Sequence, residues 1–575
     1  MQRRKFSLAA SALAASPAIA RPALARPAPG QQGWPSHDEW AGLETRVGGA
    51  LLRPVSPFDG CSGAPGCQEA LAQLRNPFFL GDHPALTQTS GWAGAWTSRP
   101  SAYAVAARNS GDVAAAVDFA RTHGLRLVVK GGGHSYKGTS NAANSLLIWT
   151  RRMRDVTLHE AFLPQGSAGQ AVPAVSLGAG ALWLHAYEAV TTGAGRYVQG
   201  GGCTTVGVAG LVQGGGFGSF SKRFGTAASG LLEAEVVTAD GRIRTVNADR
   251  DPDLFWALKG GGAGFGVVTR LTLRTHALPG TFGGVFGTLR ARDEAGFRNL
   301  IARFMTFYRD ALHNPHWGES VRFRPDNSLV FGMVFQDLSQ AEAEQVWQPF
   351  LAGADAEIEA PIRVLALPAR RMWDAAWLRQ AVPGLTLPDS RPGAAPGHFF
   401  WAGDQGQVGQ YLHGYGSAWL PSALLREAGM VSLQQAILEA SRHATVALHF
   451  NKGLSGAPQE ALAAFRGTAT HPAAADAFAL AISGVEGSPA FPGQPGPEPD
   501  LARARLNAAR VAAAIARLRR IVPGAAAYVW ESDYFERDWQ ITYWGSNYRR
   551  LLEVKRRYDP DGLFTHHHAV GSENA

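Results

Sequence analysis

Apolar positions recur with two different periods along this chain, and the two periods alternate. Residues 110–122 (SGDVAAAVDFART) place Val113, Val117 and Phe119 on one face behind a Ser/Gly/Asp start, which predicts a helix. The short apolar run Leu125–Val129 comes next and predicts a buried strand. Alternation of strands and helices in this part of the chain predicts an α+β domain.

The same patterns predict further elements in both halves of the chain. The expected strands are Asn144–Thr150, Val175–Leu177, Leu232–Thr238, Arg242–Val246, Val267–Leu273, Leu329–Gln336, His398–Gly403, Ala444–Phe450 and Ala477–Gly484. The expected helices are Leu182–Thr192, Phe255–Leu258, Ala295–Tyr308, Gln340–Leu351, Leu501–Arg520 and Ser546–Tyr558. The second half of the chain therefore predicts a sheet with helices on one face.

The first 25 residues follow a different pattern. A charged start, an alanine-rich apolar middle and small residues near residue 25 predict a secretory signal peptide. Arg3 and Arg4 favour the twin-arginine type, which exports folded proteins, although an ordinary secretory signal with chance arginines is the alternative. We therefore expect a periplasmic or secreted protein. No later apolar run reaches about 20 residues, so no membrane span is expected.

Composition narrows the class of protein only in part. The chain has 575 residues, 46% of them hydrophobic and 17% charged, which suits a globular protein of two or three domains. The formal net charge of +8 indicates a mildly basic surface. No Lys/Arg run with interleaved aromatic residues is present, so no nucleic-acid partner is expected. Neither composition nor charge predicts an oligomeric state.

The three cysteines fall into two groups. Cys61 and Cys67 lie in a Gly/Pro-rich loop (CSGAPGC) that can bend back on itself, so we expect a small disulfide between them. Cys203 then has no other cysteine with which to form a disulfide. A lone cysteine is most often a buried, inert thiol, but Cys203 sits inside the second of two glycine-rich stretches, which argues for a role in chemistry.

The two glycine-rich stretches are the strongest chemical signal in the chain. Residues 127–137 read LVVKGGGHSYK, and residues 200–218 read GGGCTTVGVAGLVQGGGFG. Glycine permits positive φ and lets backbone amides crowd around an anion, so the first loop can hold a pyrophosphate. His134 at the rim of that loop is either bonded to backbone or placed there for chemistry.

Together these stretches resemble the flavin domain of the vanillyl-alcohol-oxidase superfamily, and most closely its berberine-bridge-enzyme-like branch. In that branch FAD is often attached twice, through a histidine to the 8α-methyl group and through a cysteine of a C-x-T-V-G segment to C6 of the ring. His134 and Cys203 stand at the matching positions, with Thr204 where proline is usual. The resemblance continues through residues 229–275 and returns at residues 543–564.

The resemblance implies a fold and a domain order. The fold class is α+β: a two-part FAD-binding domain of the vanillyl-alcohol-oxidase type, with a separate α+β substrate domain whose sheet covers the flavin. We expect a signal peptide over residues 1–25, an extension with little repetitive structure over 26–98, the FAD-binding domain over 99–277, the substrate domain over 278–521, and a C-terminal segment over 522–575 that returns to the FAD-binding domain.

The resemblance also implies which residues hold the cofactor, FAD, covalently bound through His134 and Cys203. The expected FAD-binding residues are Lys130, Gly131, Gly132, Gly133, His134, Ser135, Gly202, Cys203, Val206, Gly207, Gly210, Gly214, Gly215, Gly216, Gly266, Val267, Val268 and Asn547. Lys130 is expected to pair with the pyrophosphate as a point charge, or else to be a solvated lysine.

Three residues are candidates for catalysis: Tyr136, Tyr528 and Glu531. Tyr136 matches a tyrosine that faces the active site in many relatives. Tyr528 and Glu531 match a C-terminal Tyr-x-Asn segment that carries catalytic tyrosines or acids, although Trp530 stands here in place of asparagine. Glu531 and Tyr528 are the leading candidates for the base that removes a hydroxyl proton, and solvated or structural roles remain open. Lys452, after a predicted strand, either points into the substrate cavity or is solvated.

The expected activity is oxidation of a small molecule. Hydride passes from an alcohol, sugar or amine-type carbon to flavin N5, and O₂ reoxidises the flavin to give H₂O₂. In the resembled family a small side chain at the position of Val206 leaves room for O₂, so valine here favours an oxidase, unless it is ordinary packing. The alternatives are a dehydrogenase that uses a quinone or cytochrome, and an inactive flavin-binding protein. The chain has no Rossmann fingerprint, so a pyridine-nucleotide reductase is not expected. Consecutive histidines in a strand point to alternate faces, so residues 566–568 cannot all bind one ion and no metal site is expected.

Overall fold

The computed structural model describes residues 26–61 and 65–573, so the predicted signal peptide lies outside the described residues. The helices are α1 (His37–Arg46), α2 (Pro65–Ala72), α3 (Pro77–Asp82), α4 (Ser110–Thr122), α5 (Trp183–Tyr187), α6 (Val208–Gln213), α7 (Ser221–Phe224), α8 (Pro252–Leu258), α9 (Glu294–Phe307), α10 (Gln340–Ala352), α11 (Ala375–Ala381), α12 (Glu427–Ser441), α13 (Gln459–Arg466), α14 (Leu501–Arg520), α15 (Trp539–Trp544) and α16 (Tyr548–Tyr558).

The strands, in chain order, belong to four sheets. They are β1 (Leu51–Leu52), β2 (Gly91–Trp92), β3 (Trp96–Thr97), β4 (Tyr103–Ala106), β5 (Arg126–Lys130), β6 (Ser145–Trp149), β7 (Val156–Phe162), β8 (Val172–Gly178), β9 (Arg196–Val198), β10 (Leu231–Val237), β11 (Ile243–Asn247), β12 (Val267–Ala277), β13 (Thr281–Arg290), β14 (Trp317–Phe323), β15 (Ser328–Gln336), β16 (Glu357–Pro368), β17 (Thr386–Pro388), β18 (Phe399–Trp401), β19 (Tyr411–Pro421), β20 (Val446–His449) and β21 (Ala477–Gly487).

Two sheets build the half of the molecule that carries the glycine loops. One has the order β1-β4-β6-β5, in which β6 pairs in parallel with both β4 and β5. The other has the order β11-β10-β12-β8-β7, with β9 added on β12, and its pairs are antiparallel. The first glycine loop begins where β5 ends, so the strand fixes its starting point.

A nine-stranded sheet forms the second half, in the order β16-β13-β15-β14-β20-β21-β19-β2-β3. One face packs on helices α9, α10, α12 and α14 around buried residues such as Phe304 and Leu433. Residues of the other face, such as Trp419 and Leu480, belong to the same hydrophobic core as the glycine-loop half. The sheet therefore covers that half, and the predicted α+β class with a covering sheet is confirmed.

Glycine in β19 sets how closely the longest helix approaches this sheet. A Cβ on Gly414 would lie 2.9 Å from the Ala508 Cα, and one on Gly416 would lie 3.0 Å from the Ile515 Cγ1, both on α14. Neighbouring side chains of a strand point to opposite faces, so Tyr415 points away from α14. This strand thus presents its large side chain to the other half of the molecule.

Capping residues explain why several predicted helices have the expected bounds. The Asn109 side chain accepts a hydrogen bond from the Asp112 N–H, and α4 covers Ser110–Thr122 as predicted. The Asp500 side chain accepts from the Arg503 N–H, and α14 covers Leu501–Arg520 as predicted. Each cap satisfies a backbone donor that a helix start leaves free.

Two predictions of local structure were wrong. The extension before residue 99 was expected to have little repetitive structure, yet it forms α1 to α3, and its strand β2 pairs in parallel with β19 at the edge of the large sheet. The strand expected over His398–Gly403 is the shorter β18, which pairs only with β17 outside the large sheet. In both cases the local structure depends on contacts with other parts of the chain, and a local sequence pattern does not contain them.

The covalent and membrane expectations can also be compared with the structure. A disulfide joins Cys61 and Cys67, whose Cα atoms are 5.4 Å apart, as predicted. Cys203 is a free thiol. Within residues 26–61 and 65–573, none of the helices has the length and apolar character that crossing a bilayer requires.

Replacing His276 by glutamine is expected to make the protein less sensitive to acid. Burial, together with the cations Arg274, Arg196 and Arg223, lowers the pKa of His276 from 6.5 to about 4. As the pH falls, the unfolded chain binds this proton first, so the free energy of unfolding decreases between pH 6.5 and about 4. The loss is at most about 3 kcal/mol. Urea midpoints of both proteins, compared between about pH 7 and about pH 4.5, measure it.

The matched control is His37→Gln, at an exposed position at the start of α1. It should show the same fall in urea midpoint as the wild type, because an exposed histidine loses little solvation on folding. If the H276Q protein loses as much stability in acid as the wild type, His276 is not a source of the acid sensitivity.

Candidate active site

The two glycine-rich stretches lie back to back. A Cβ on Gly132 would be 2.7 Å from the Gly207 N and 2.9 Å from the Thr205 O, and a Cβ on Gly207 would be 2.8 Å from the Gly132 N. Contacts this short leave no room for any side chain. Gly133 then turns the loop with a φ of +79°, in the left-handed region that favours glycine. This contact places the loop of His134 against the segment of Cys203.

His134 is held as a neutral imidazole. Its Nε2 lies 3.2 Å from the Thr205 Oγ1, and burial lowers the pKa of His134 to about 4. Next to it, the Ser135 hydroxyl accepts hydrogen bonds from the backbone N–H groups of Lys137 and Thr139, each at 3.2 Å, which fixes the turn after the histidine. A neutral imidazole keeps the lone pair that a nucleophile needs.

Cys203 lies half-buried in a backbone held on both sides. The Tyr187 hydroxyl donates to the Gly201 carbonyl at 2.7 Å, and the Trp401 indole N–H donates to the Gly202 carbonyl at 2.9 Å. On the other side the Thr204 hydroxyl donates to the Phe399 carbonyl at 2.9 Å. Burial raises the pKa of the Cys203 thiol, and the carboxyls of Asp404 and Glu319 raise it further.

The later glycines of the second stretch make room for protein side chains. A Cβ on Gly214 would lie 1.8 Å from the Trp530 Nε1, and the Trp530 indole donates to the Gly210 carbonyl at 3.0 Å. Gly215 and Gly216 have φ values of +107° and +76°. Trp530, in place of the asparagine usual in relatives, thus anchors the C-terminal segment on the glycine stretch.

The remaining predicted FAD-binding residues differ in their burial and in their contacts with the protein. Val206 is half-buried near Cys203, whereas Val267 and Val268 are buried in two hydrophobic cores at the start of β12. A Cβ on Gly266 would lie 2.7 Å from the Val236 Cγ2, so this glycine allows close packing of β12 on β10. The Asn547 amide donates to the Thr470 carbonyl at 3.0 Å. For these residues contact with FAD stays a prediction.

The prediction for the role of Lys130 needs a correction. Its side chain is fully buried, and Nζ donates to the carbonyls of Leu80, His83 and Leu86 at 3.3, 2.6 and 2.5 Å. Three carbonyls use the three protons of an ammonium group, so Lys130 is neither a solvated lysine nor free to pair with a pyrophosphate. It ties the N-terminal extension to the end of β5.

The candidate catalytic residues meet on the side of this site that faces the large sheet. The Glu531 N–H donates to the Tyr528 carbonyl at 3.0 Å, so a tight turn brings the two residues together. Lys452 forms a salt bridge with the Glu531 carboxylate, and their side chains are only 10% and 21% exposed. The rings of Tyr136 and Tyr415 lie 5.3 Å apart. Lys452 is therefore a buried ion-pair partner in this site, not a solvated residue.

Both candidate tyrosines are neutral phenols at ordinary pH. Burial, reinforced by the Glu531 carboxylate, raises the pKa of Tyr136 and of Tyr528. The Tyr528 hydroxyl is buried near the backbone of Gly216 but makes no hydrogen bond of good geometry with the described residues, and its ring stands edge-on to Phe217 at 5.3 Å. An unpaired buried hydroxyl is costly, so this group is available to a bound molecule.

The structure adds two acidic residues that sequence reasoning missed. Glu319 adopts a φ of +65° within β14 and accepts a hydrogen bond from the Ser219 hydroxyl at 2.5 Å. Asp404 follows β18, and burial raises the pKa of its carboxyl to about 6. Single acidic residues carry no motif; a positive φ at a buried glutamate would have marked Glu319, but it is visible only in the fold.

The three consecutive histidines have separate partners. His566 contacts the His567 and Ala263 carbonyls through its two ring nitrogens, while the His567 ring stacks on Tyr534 and His568 stacks on Trp539. Within the part of the chain that the structure describes, no cluster of His, Cys, Asp and Glu could hold a metal ion.

Two cavities lie away from His134 and Cys203. One, of about 350 Å³, is lined by Asp82, Trp149 and three arginines, and the other, of about 720 Å³, lies between α14 and residues 533–538. Neither contains a candidate catalytic residue, so volume alone does not identify the active site here.

The residues around His134 and Cys203 suit FAD. Two glycine loops lie back to back, Gly202 and Gly210 are exposed, and a Cβ on Gly210 would meet nothing within 4 Å. A neutral imidazole and a free thiol flank this backbone. Bare backbone that can approach a cofactor closely, with a few convergent polar groups, is typical of dinucleotide sites.

Comparisons with known proteins agree with this geometry. The model of the FAD binding domain family matches residues 101–247, and the model described as berberine and berberine like matches residues 527–571. FAD-linked oxidoreductase ZEB1 of Gibberella zeae is 27% identical over 571 residues, covering 95% of this chain and 92% of that protein.

Two solved structures share the fold. The VAO-type flavoprotein MtVAO615 from Myceliophthora thermophila C1 has a TM-score of 0.77 and 25% identity, covering 95% of this chain and 97% of that chain. Glucooligosaccharide oxidase from Acremonium strictum, described with a 6-S-cysteinyl, 8α-N1-histidyl FAD, has a TM-score of 0.63 and 18% identity over 90% of this chain and all of that one, which establishes the fold alone. The chain therefore contains an FAD binding domain and a C-terminal berberine-like region, and over nearly its whole length it is similar to FAD-linked oxidoreductases and to VAO-type flavoproteins.

Proposed function

We propose that this protein is an exported oxidase whose FAD is attached through both His134 and Cys203, and that it oxidises an alcohol, sugar or amine-type carbon of a small molecule. One observation carries the proposal. The neutral imidazole of His134 and the free thiol of Cys203 belong to two glycine loops in direct backbone contact. Glucooligosaccharide oxidase, with the same fold, is described with both linkages.

When bound, FAD supplies the acceptor for the hydride and passes the electrons to O₂, which gives H₂O₂. The protein's part is to orient cofactor and substrate and to move the accompanying proton. Glu531 is the proposed proton acceptor, because its carboxylate is bound to Lys452, whose Nζ lies 5.9 Å from the centroid of the Tyr528 ring. Lys452 holds the carboxylate in place through the salt bridge.

The two tyrosines have a different proposed task. As neutral phenols, Tyr136 and Tyr528 donate hydrogen bonds to the oxygen or nitrogen of the substrate, and the unpaired Tyr528 hydroxyl is satisfied in this way. The Tyr415 ring beside Tyr136 supplies an apolar surface for the substrate from the large sheet. Polar groups fix orientation, while the aromatic wall excludes water.

The use of O₂ and the export of the protein rest on separate support. Half-buried Val206 leaves more space near Cys203 than a larger side chain would, which favours O₂ over a quinone or cytochrome as acceptor. The disulfide between Cys61 and Cys67 suits an oxidising compartment. Consumption of O₂ with formation of H₂O₂ during turnover of an alcohol, sugar or amine panel tests the first point.

The decisive experiment on the cofactor is intact mass spectrometry of the denatured, purified protein, followed by peptide mapping. We expect one FAD bound to two peptides, one with His134 and one with Cys203. His37→Ala, at the exposed start of α1, should retain both attachments as a control, whereas His134→Ala should retain only the Cys203 bond and Cys203→Ala only the His134 bond. Protein that carries no covalent flavin would contradict the attachment proposal, and an adduct on His134 alone would limit it to a single bond.

A further inference from the structure

A short segment of the substrate half runs alongside Cys203. It comprises β18 and the turn Ala402–Gln407 that follows it. The segment is tied to the cysteine's neighbours on both sides, through the Trp401 indole at Gly202 and the Phe399 carbonyl at Thr204. These two bonds fix the position of Asp404, three residues after Trp401, relative to Cys203.

Asp404 is the acidic residue that raises the pKa of the Cys203 thiol most. Its half-buried carboxyl is near enough to interact with the Cys203 side chain, and each group shifts the pKa of the other. Burial raises the pKa of Asp404 to about 6 and raises the pKa of Cys203 well above its ordinary value. The thiol is therefore protonated at neutral pH while the carboxyl beside it is mostly ionised.

Other groups near the thiol already have partners. The Glu319 carboxylate accepts from the Ser219 hydroxyl at 2.5 Å and from the Asn451 amide at 3.4 Å. Lys452 is bound to Glu531, and the His134 Nε2 lies against the Thr205 hydroxyl. Because an attacking sulfur must lose its proton, a base has to stand beside it, and the carboxylate of Asp404 is placed to be that base.

We propose that Asp404 takes the thiol proton of Cys203 when the sulfur bonds to C6 of the flavin. The inference rests on the double attachment proposed above. As the S–C bond forms, the S–H proton passes to the carboxylate, the ring carbon gives up its hydrogen, and the two electrons left on the cofactor are removed by O₂ as H₂O₂. The sum is a thiol, a C–H group and O₂ giving a thioether and H₂O₂.

The test follows the Cys203 bond separately from the His134 bond. Wild type, Asp404→Asn, Asp404→Glu and Trp401→Phe are purified with FAD, denatured and mapped by mass spectrometry, and the remaining free thiol is alkylated. Asn keeps the shape of Asp404 but accepts no proton, so we expect the Cys203 bond to form about 10²-fold more slowly or not at all. The His134 bond remains and shows that the D404N protein has folded around FAD.

Two variants separate proton transfer from support of the segment. D404E restores the carboxylate and should restore the Cys203 bond. W401F keeps Asp404 but removes the tether to Gly202, so it should slow the Cys203 bond less than D404N does. Full attachment at Cys203 in D404N, or failure of D404E to restore the bond, would overturn the role of Asp404. A wild-type protein with free Cys203 would instead overturn the double attachment itself.

Discussion

Glu531→Gln is expected to lower kcat by about 10²–10⁴-fold, the range that loss of a general base costs. The amide has the size of the carboxylate but cannot accept the substrate's proton. The Glu531 carboxylate is enclosed, since its side chain is 21% exposed and Lys452 is bound to it, so bulk water is a poor substitute. Steady-state kinetics with the most rapidly oxidised member of an alcohol, sugar and amine panel give kcat and KM for the variant and the wild type.

The matched control is Glu536→Gln, five residues further along the same segment. Its carboxylate accepts from Arg519 at 2.7 Å and has no contact with Lys452 or Tyr528 among its hydrogen bonds and salt bridges. E536Q should retain kcat within about threefold, because the Glu536 carboxylate pairs with Arg519 and takes no part in the contacts of Lys452 and Tyr528. An E531Q enzyme that keeps both flavin bonds and a kcat near the wild-type value would show that another group accepts the proton.

Gly132→Ala is expected to abolish both flavin attachments and to destabilise the fold. The added Cβ would meet backbone atoms of the opposite loop, the Gly207 N at 2.7 Å and the Thr205 O at 2.9 Å, and neither can rotate away as a side chain could. The loops of His134 and Cys203 must therefore separate. Overpacking of this kind costs about 1–3 kcal/mol, measured as a lower urea midpoint, and the flavin left on the denatured protein reports the attachments.

Gly42→Ala serves as the control for the same chemical change. Gly42 lies on an exposed position of α1, where a Cβ would meet nothing within 4 Å. Alanine there should raise stability by up to about 1 kcal/mol through helix propensity and leave the flavin bonds intact. Unaltered attachment in G132A would mean that the contact between the loops is not what brings His134 and Cys203 to the cofactor.

The cofactor half is more predictable from the sequence than the substrate half because its signals are local. The triple glycine and His134 follow β5 directly, and the bounds of α4 are set by Asn109 at its start. The partners of Lys130, in contrast, are carbonyls at residues 80, 83 and 86, which lie 44 to 50 positions earlier in the chain. A local pattern does not reveal that such a lysine is buried, and so its predicted pairing with a phosphate was wrong.

The central strands of the substrate half show a second reason why parts of the fold could not be predicted from the sequence. Strand β19 alternates large residues with Gly414 and Gly416, because α14 lies too close for any side chain on that face. Glycine erases the apolar alternation by which a half-buried strand is recognised, and β19 was not predicted. Glu319 belongs to another strand that was not predicted, β14. An acidic residue in an unrecognised strand cannot be placed in a site, which is why Glu319 emerges only from the fold. Asp404 follows a strand that was predicted, but the hydrogen bonds that bring it to Cys203 join residues about 200 positions apart.

The contact between Trp530 and Gly210 also has a consequence for the order of events during biosynthesis. The two residues are 320 positions apart. At about 5–20 residues per second, the ribosome needs roughly 16–64 s to pass from one to the other, and the nascent chain must leave the exit tunnel before the indole can reach its carbonyl. The C-terminal segment therefore reaches the glycine stretch only after this delay, and until then Gly210 is not covered by Trp530.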